Sequence, residues 1–247
     1  VRVWTVSCAA DATAGAQHIV ARDIQHGARG LRFDVVEGDD THTLDTELVG
    51  HYNVSNVLGV MACLRALGFS LADAVQACRV LPPVPGRMQT VGVAGEPLVV
   101  IDYAHTPDAV SHALLALRSV ASARGGQLWC VLGCGGDRDA SKRPQMAAAA
   151  QAAADQLMLT SDNPRSESPE AIVNDMIAGL IRPDLVRVQL DRARAVSEVL
   201  ALVDVKDVVL VAGKGHETTQ EIMGVFHPYS DESQVVSALK LRIACLD

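Results

Sequence analysis

The sequence predicts an α/β fold whose larger part is a doubly wound, mainly parallel sheet. From residue 98 onward, short segments that are apolar throughout alternate with longer segments of helical periodicity. Strands buried on both faces of a parallel sheet are apolar throughout, and the helices between them form the crossover connections. We predict strands at 98–101, 128–132, 156–159 and 208–212, and helices at 108–120, 144–154, 169–180, 192–203 and 231–244.

The part before residue 84 has a different pattern. Residues 1 to about 49 alternate in short β-type runs that polar turns separate. Helical spacing follows over 53–67, and again over 71–78, where Ser70 is the predicted N-cap. Three prolines between residues 82 and 85 exclude a helix and stiffen the chain. We therefore predict a domain boundary at this proline-rich segment.

The bulk composition indicates a globular protein and argues against two classes of partner. Hydrophobic residues make up 49% of the 247 residues and charged residues 20%, which is enough apolar surface for a core. The net charge of -8 argues against nucleic acid, because phosphate binding needs a surplus of Lys and Arg. No apolar run approaches the roughly 20 residues that cross a bilayer, so no membrane partner is expected. The chain starts at Val1 without an initiator Met or a signal-peptide pattern, which we interpret as a cut chain.

The six cysteines are not spaced like the ligands of a metal site. Cys130 and Cys134, the nearest pair, fall in a strand-like pattern and not in a CxxC knuckle. We therefore expect free, buried thiols in a reducing cytosol. The six positions are Cys8, Cys63, Cys78, Cys130, Cys134 and Cys245.

Polar segments follow four of the predicted strands, and ligands of open α/β sheets bind beyond the carboxyl ends of the strands. In the first segment, Asp102 could accept hydrogen bonds from a hydroxyl, and His105 could contact phosphate or a charged side chain. The alternative for this segment is a helix start capped by Thr106. In the second segment, the glycines of 133–136 allow a close approach of the backbone, and Arg138 offers a planar fork to a carboxylate. That segment lacks the GxxxxGK[ST] spacing of a P-loop.

The third and fourth segments add charges of both signs. Arg165, braced by Pro164, suits recognition of a carboxylate, although a solvated loop arginine is the alternative. In the fourth segment glycines flank Lys214, and Glu217 could pair with an ammonium group. Two arginines and one acid at neighbouring strand ends would suit an amino acid, and a diamino-dicarboxylic acid better still.

Seven motifs follow one another along the chain in a fixed order. They are Gly50-His51-Tyr52-Asn53-Val54-Ser55-Asn56, Pro85-Gly86-Arg87-Met88, Asp102-Tyr103-Ala104-His105-Thr106-Pro107-Asp108, Gly135-Gly136-Asp137-Arg138-Asp139, Lys142-Arg143-Pro144, Asp162-Asn163-Pro164-Arg165 and Gly213-Lys214-Gly215-His216-Glu217. Their order and spacing resemble the Mur ligase family. The resemblance spans nearly the whole chain, with roughly the first 45 residues matching only loosely. The tetrapeptide at 162–165 resembles that of members that use meso-diaminopimelate, and Arg165 can clamp the carboxylate that lysine lacks.

The resemblance implies two groups of binding residues. The group expected to bind meso-diaminopimelate consists of Arg138, Asp162, Asn163, Pro164, Arg165, Gly213 and Glu217. The group expected to contact ATP consists of Asn53, Arg87, Asp102 and His105, with Asn53 near the adenine. We assign no catalytic residue and no metal ligand to this chain.

The resemblance also implies the reaction. ATP would phosphorylate the γ-carboxylate of D-glutamate in UDP-MurNAc-L-Ala-D-Glu, and the amine of meso-diaminopimelate would attack the resulting acyl phosphate. Mg²⁺ and lysine charges would stabilise the transferring phosphoryl group. The expected parent is a cytoplasmic, monomeric ligase of peptidoglycan precursor synthesis.

One motif of these ligases does not occur in the sequence, namely the GxxGKT-type phosphate loop of the central domain. The resemblance therefore implies that residues 1–84 are the C-terminal part of the central, ATP-hydrolysing domain. Residues 85–247 would be the C-terminal, amino-acid-binding domain, which has a Rossmann-like, doubly wound fold. We expect this chain by itself not to catalyse ligation.

Alternative functions remain open from the sequence. The nearest enzymes are a lysine-adding Mur ligase and a folylpolyglutamate synthetase relative. A non-catalytic amino-acid-binding module belongs to a different class of protein. A generic dinucleotide-binding domain is disfavoured, because no GxGxxG motif opens a strand–helix unit.

Overall fold

The computed structural model describes residues 3–9, 12–27 and 30–244. The chain divides between Pro83 and Val84 into two compact units, which we describe separately. Among the described residues, no helix combines the length and the apolar character needed to cross a bilayer.

The first unit contains a four-stranded sheet and two helices. The strands follow one another in the sheet in chain order, with β1 parallel to β2 and the remaining pairs antiparallel. Both helices pack on this sheet. The elements are β1 (Thr5–Ser7), β2 (His18–His26), β3 (Leu31–Glu37), β4 (Asp40–Thr46), α1 (Tyr52–Ala66) and α2 (Leu71–Arg79).

The core of the first unit forms between alternate residues of a strand and the apolar face of a helix. Strand β3 buries every second residue, including Leu31, Phe33 and Val35, against one face of α1. Helix α1 presents Leu58 and Met61 to that core. Burial of each such side chain contributes about 1.5–3 kcal/mol. The predicted β-type runs and both predicted helices of this region are therefore confirmed.

The described residues of the second unit form eight strands, five α-helices and one short 3-10 helix (Pro183–Leu185). The strands are β5 (Gln89–Val91), β6 (Leu98–Asp102), β7 (Leu128–Cys134), β8 (Gln156–Ser161), β9 (Arg187–Val188), β10 (Val208–Ala212), β11 (Thr219–Ile222) and β12 (Val225–Pro228). The helices are α3 (Pro107–Arg124), α4 (Lys142–Ala153), α5 (Pro169–Ile177), α6 (Arg192–Leu202) and α7 (Asp231–Ala244).

The main sheet of this unit has the strand order β5-β6-β10-β7-β8-β9. All of its pairs are parallel except β5 with β6 at one edge. Helices α6 and α7 pack together on one face, and α3, α4 and α5 pack in sequence on the other. Strand β10 lies in the middle, and all five of its residues are buried. The doubly wound α/β architecture predicted from the apolar strands is confirmed.

Helix α3 shows how local sequence starts and stops an element. Thr106 Oγ1 accepts a hydrogen bond from Ala109 N, and Pro107 occupies the first turn. Gly125 ends the helix in the left-handed conformation. The capping role of Thr106 that the sequence left open is therefore present in the structure.

Three strand pairings were not predicted, and each has a weak sequence signal. Strand β9 has only two residues, and β5 is a three-residue edge strand. Strands β11 and β12 form a hairpin whose two-residue turn, Met223 and Gly224, has positive φ at both positions (50° and 75°). Such turns usually carry Asn-Gly or Asp-Gly, so Met-Gly does not indicate a hairpin.

The thiol prediction holds for three cysteines and is wrong for one. Cys78, Cys130 and Cys134 are free and buried, and burial raises the pKa of Cys130 and of Cys134 to about 12. Cys63 is exposed, because it lies on the part of α1 that does not face the sheet. Cys8 is half-buried, and Cys245 lies outside the described residues.

Candidate functional site

A cleft of about 480 Å³ lies at the carboxyl ends of the central strands in the second unit. The strand register explains why the polar segments meet there. Ala212 at the end of β10 pairs with Asp102 at the end of β6 and with Leu132 near the end of β7. The loops that follow therefore leave the sheet at one level. The sequence-predicted residues that line the cleft are His105, Arg138, Asp162, Asn163, Arg165, Gly213 and Glu217.

Asn163 is the hydrogen-bonding centre of the loop after β8. Its Nδ2 donates to Glu217 Oε2 (2.8 Å), and its Oδ1 accepts from Lys214 Nζ (2.9 Å) and from Glu221 N (3.0 Å). The buried amide is therefore held by three residues from two segments of the chain, the loop after β10 and strand β11. This network fixes the position of the loop more firmly than a solvated turn would.

Asp162 lies beside Asn163 at the floor of the cleft. Its Oδ1 accepts a hydrogen bond from Asn163 N (2.7 Å). Burial raises the pKa of Asp162, against the opposing charges of Arg192 and Lys214. Gly213 has a φ of +115°, and a Cβ there would overlap the Asp162 carboxylate. Only glycine fits at position 213 without displacing that carboxylate.

Lys214 pairs with Glu217, the acid that the sequence assigned to binding of a ligand ammonium group. Its side chain is fully buried, and Nζ lies 2.8 Å from Glu217 Oε2. Burial opposes the charge of Glu217, but the bonds from Lys214 and Asn163 outweigh it and hold the pKa of Glu217 below its ordinary value. The acid predicted to pair with a ligand ammonium thus already has an internal cation as a partner.

The two arginines differ in how firmly they are held. Arg165 Nη1 donates to Gly136 O (2.7 Å), and its Nε lies 3.3 Å from Glu221 Oε2. Arg138 is exposed, and its Nη1 donates a long bond (3.3 Å) to Asp137 O. One rigid and one adaptable guanidinium therefore face the same cleft. Pro164, the remaining member of this predicted group, is buried next to Arg165 and does not line the cleft.

The predicted ATP contacts of the second unit cluster around Tyr103. The Arg87 guanidinium lies 4.9 Å from the centre of the Tyr103 ring, and the His105 ring lies 4.6 Å away in an edge arrangement. Asp102 Oδ2 accepts from Met88 N (2.8 Å), and burial raises the pKa of this carboxyl. Arg87 and Asp102 flank the cleft residues Tyr103 and His105 without lining the cleft themselves.

Asn53 belongs to the first unit, whereas the residues that line the cleft belong to the second. Its side chain lies in the first turn of α1. There Nδ2 donates to Val49 O (2.7 Å), and Oδ1 accepts from Asn56 Nδ2 (3.0 Å). These bonds give Asn53 a local role at the start of the helix.

Sequence reasoning missed the buried groups that support the cleft. Arg192 and Asp231 form an ion pair with both side chains fully buried, and Arg192 Nη2 also donates to Ala212 O at the end of β10. Arg143 is buried against Glu167 (2.7 Å) and Asp175 (2.9 Å). Periodicity could not reveal these pairs, because their partners lie 24 or more residues apart.

Mg²⁺ has no evident binding group in the described ranges. No three or more His, Cys, Asp or Glu side chains there come together in a way that could hold a metal ion.

The fold and the cleft define a doubly wound α/β domain with a charged pocket at its strand ends, which is the usual ligand position in this class. The chain belongs to the Mur ligase family, since residues 86–215 match the glutamate ligase domain of that family.

Two bacterial relatives show the similarity over most of the chain. Both are named UDP-N-acetylmuramoyl-L-alanyl-D-glutamate--2,6-diaminopimelate ligase. The protein from Acidovorax sp. (strain JS42) is 51% identical over 240 residues, which is 97% of this chain and 47% of the relative. The protein from Chromobacterium violaceum is 52% identical over 204 residues, which is 82% of this chain and 41% of the relative. The chain thus spans about half the length of the curated relatives it matches.

Two solved structures are similar to this chain, one in sequence and fold and one in fold alone. A structure of a UDP-N-acetylmuramoyl-L-alanyl-D-glutamate--2,6-diaminopimelate ligase matches with a TM-score of 0.73 and 39% identity, over 91% of this chain and 46% of that one. Folylpolyglutamate synthase from Mycobacterium tuberculosis, complexed with ADP and AMPPCP, matches with a TM-score of 0.60 and 23% identity, over 81% of this chain and 46% of that one. The second match shows a shared fold only.

Proposed function

We propose that this chain supplies the amino-acid-binding part of an ATP-dependent ligase that adds meso-diaminopimelate to UDP-MurNAc-L-Ala-D-Glu. The observation that carries the proposal is the pair of arginines, Arg138 and Arg165, which line one cleft together with the acids Asp162 and Glu217. A diamino-dicarboxylic acid has two carboxylates for the guanidinium groups and two ammonium groups for the acids. The names of the relatives support the same substrate pair.

Within this proposal, residues 1–84 are the C-terminal part of a central ATPase domain, and residues 85–247 are the amino-acid-binding domain. Arg165 would bind the carboxylate that distinguishes diaminopimelate from lysine, and the adaptable Arg138 would bind the other. Asp162 and Glu217 would bind an ammonium group, and Asn163 would lie beside them in the same site, with Lys214 maintaining the positions of Asn163 and Glu217. Gly213 would leave room for the Asp162 carboxylate, and Pro164 would brace Arg165.

The chemistry proposed for the assembled ligase is amide formation through an acyl phosphate. The amine of meso-diaminopimelate, after loss of a proton, attacks the acyl carbon of the phosphorylated D-glutamate side chain. The carbon–oxygen bond to phosphate breaks, and inorganic phosphate leaves as the amide forms. Arg87, Asp102 and His105, clustered at Tyr103, are the proposed contacts on the ATP side, and Asn53 is proposed to lie near the adenine.

Titration calorimetry of the 247-residue chain with meso-diaminopimelate and with L-lysine tests the amino-acid site. We expect tighter binding of meso-diaminopimelate and no ligation activity, because the sequence has no GxxGKT-type loop. Arg165→Ala removes hydrogen bonds to a charged group, each worth about 1.5–3 kcal/mol, and should weaken meso-diaminopimelate binding by roughly 10- to 150-fold.

Two controls complete this test. Arg165→Lys retains the charge without the planar fork and should give an intermediate loss. Arg182→Ala removes an exposed arginine that pairs with Asp184 and does not line the cleft, so it should leave binding unchanged. Equal affinity of the unaltered chain for lysine and meso-diaminopimelate would contradict the proposed specificity. Turnover of ATP with both substrates by this chain alone would contradict the expected lack of ligation.

A further inference from the structure

The hairpin of β11 and β12 is joined to the loop after β8 along its first strand. Gln220 Nε2 donates to Asp162 O (2.6 Å), and Glu221 N donates to Asn163 Oδ1 (3.0 Å). Arg165 N in turn donates to Glu221 O (3.1 Å). The hairpin therefore holds the backbone of the loop that carries Arg165, the proposed carboxylate-binding arginine, in place.

Arg165 is constrained at its backbone and along its side chain. Its carbonyl accepts from Met223 N (2.7 Å), and its φ of +52° is a conformation that only firm contacts maintain in a non-glycine residue. Its guanidinium lies across the glycine-rich loop, where a Cβ at Gly135 would come within 2.9 Å of Nη1. The direction of the fork is therefore set before any ligand binds.

The contacts of this guanidinium leave one edge for a carboxylate. An arginine can hold a carboxylate with two parallel bonds through its Nη1 and Nη2 edge or through its Nε and Nη2 edge. Nε has a single hydrogen, and Glu221 Oε2 lies 3.3 Å from that nitrogen. A second carboxylate at this edge would meet a like charge. Nη1 has two hydrogens, of which Gly136 O accepts one, and Arg165 lines the cleft, so the other Nη1 hydrogen and the Nη2 edge are the donors left for a ligand carboxylate.

We propose that Glu221 is a positioning residue that determines which stereoisomer of diaminopimelate the cleft accepts. This inference rests on the proposed function. The stereoisomers differ in configuration at one of the two α-carbons, so the distal carboxylate points in a different direction when the proximal end is held. With a single open edge, Arg165 can hold the distal carboxylate of one stereoisomer only. With two open edges, it could hold the distal carboxylate of either stereoisomer.

The test measures binding of meso- and LL-diaminopimelate to the 247-residue chain and to three variants by titration calorimetry. Glu221→Ala and Glu221→Thr both open the second edge, and threonine keeps a good strand propensity in β11 in case the alanine variant folds poorly. Both should lower the preference for the meso isomer by roughly tenfold. Glu221→Gln retains an oxygen beside Nε at the same chain length but removes the negative charge that repels a carboxylate, so it should lower the preference by less than the alanine and threonine variants do.

L-Lysine provides a readout that a general loss of structure would change. It lacks the distal carboxylate, so its affinity, measured by ligand-observed NMR, should stay the same in all variants. An unchanged isomer preference in the alanine and threonine variants would overturn the inference and leave the proposed function intact. Parallel losses for lysine and for both isomers would also overturn it, because they would show a merely structural role. An unaltered chain that binds neither isomer would overturn the proposed function and this inference together.

Discussion

Replacement of Asp231 by Asn should destabilise the second unit strongly although it changes only one atom type. The Arg192 and Asp231 side chains have no solvent exposure. Nε lies 2.8 Å from Oδ1, and Nη2 lies 2.8 Å from Oδ2. Tyr229 also donates its hydroxyl hydrogen to Oδ1 (2.9 Å). An amide can accept on one side only and would turn its own N–H groups toward a guanidinium or a hydroxyl.

The expected loss follows from the burial of the charge that remains. Removal of one partner of a buried ion pair typically costs about 3–5 kcal/mol, because the other charge is left without compensation. With a urea dependence of about 2 kcal/mol per molar, the unfolding midpoint should fall by roughly 1.5–2.5 M. Arg192 also donates to the carbonyl of Ala212, so the end of β10 should lose order as well.

Urea unfolding of this unit can be followed through the fluorescence of Trp129, a residue that is 6% exposed, in a Trp4→Phe background. Asp184→Asn is the matched control, because Asp184 pairs with Arg182 at the surface and its loss should not move the midpoint. The double variant Arg192→Met with Asp231→Leu should recover most of the stability. A midpoint for Asp231→Asn equal to that of the Asp184 control would refute the reasoning.

Two further predictions concern the cleft. Gly213→Ala should destabilise the unit by roughly 1–3 kcal/mol, because of the positive φ and the overlap with Asp162, and should weaken amino-acid binding. Thermal unfolding and calorimetry measure both effects, and Gly59→Ala in open space is the control that should not be destabilising. Lys214→Met should raise the pKa of Glu217, since it removes the bond that outweighs burial. An NMR titration of the Glu217 carboxyl measures this shift, and an unchanged titration in the variant would contradict the prediction. In the unaltered chain, the lowered pKa of Glu217 adds to the free energy of unfolding at a pH above the unfolded pKa near 4.5. That contribution is lost as the pH falls through the folded pKa.

The chemistry of the cleft was accessible from the sequence wherever a polar segment directly follows an apolar strand. Arg138, Asp162, Arg165 and Glu217 follow such strands and line one cleft in the structure. In a parallel sheet the carboxyl ends share an edge, so chain order alone predicts that these segments lie near one another. Their roles in binding remain predictions.

The identity of the partners was not accessible in the same way. The sequence suggested that Glu217 would bind a ligand ammonium, but Lys214, three residues earlier, already pairs with it. Glu221 lies 56 residues after Arg165 and in a hairpin without a recognisable turn signal, yet it borders the Arg165 guanidinium. Contacts of this kind depend on rotamers and on loop packing, which no period or motif encodes.

Sequence alone therefore determined the helices, the long buried strands, the sheet class and the residues that collect at the edge of the sheet, because apolar runs and caps act over a few neighbouring residues. Tertiary structure decided which of those charges are already paired and which face the cleft. The physical reason is that a buried charge must find a counter-charge wherever the fold supplies one, and in this chain Arg192 finds it 39 residues away, in Asp231.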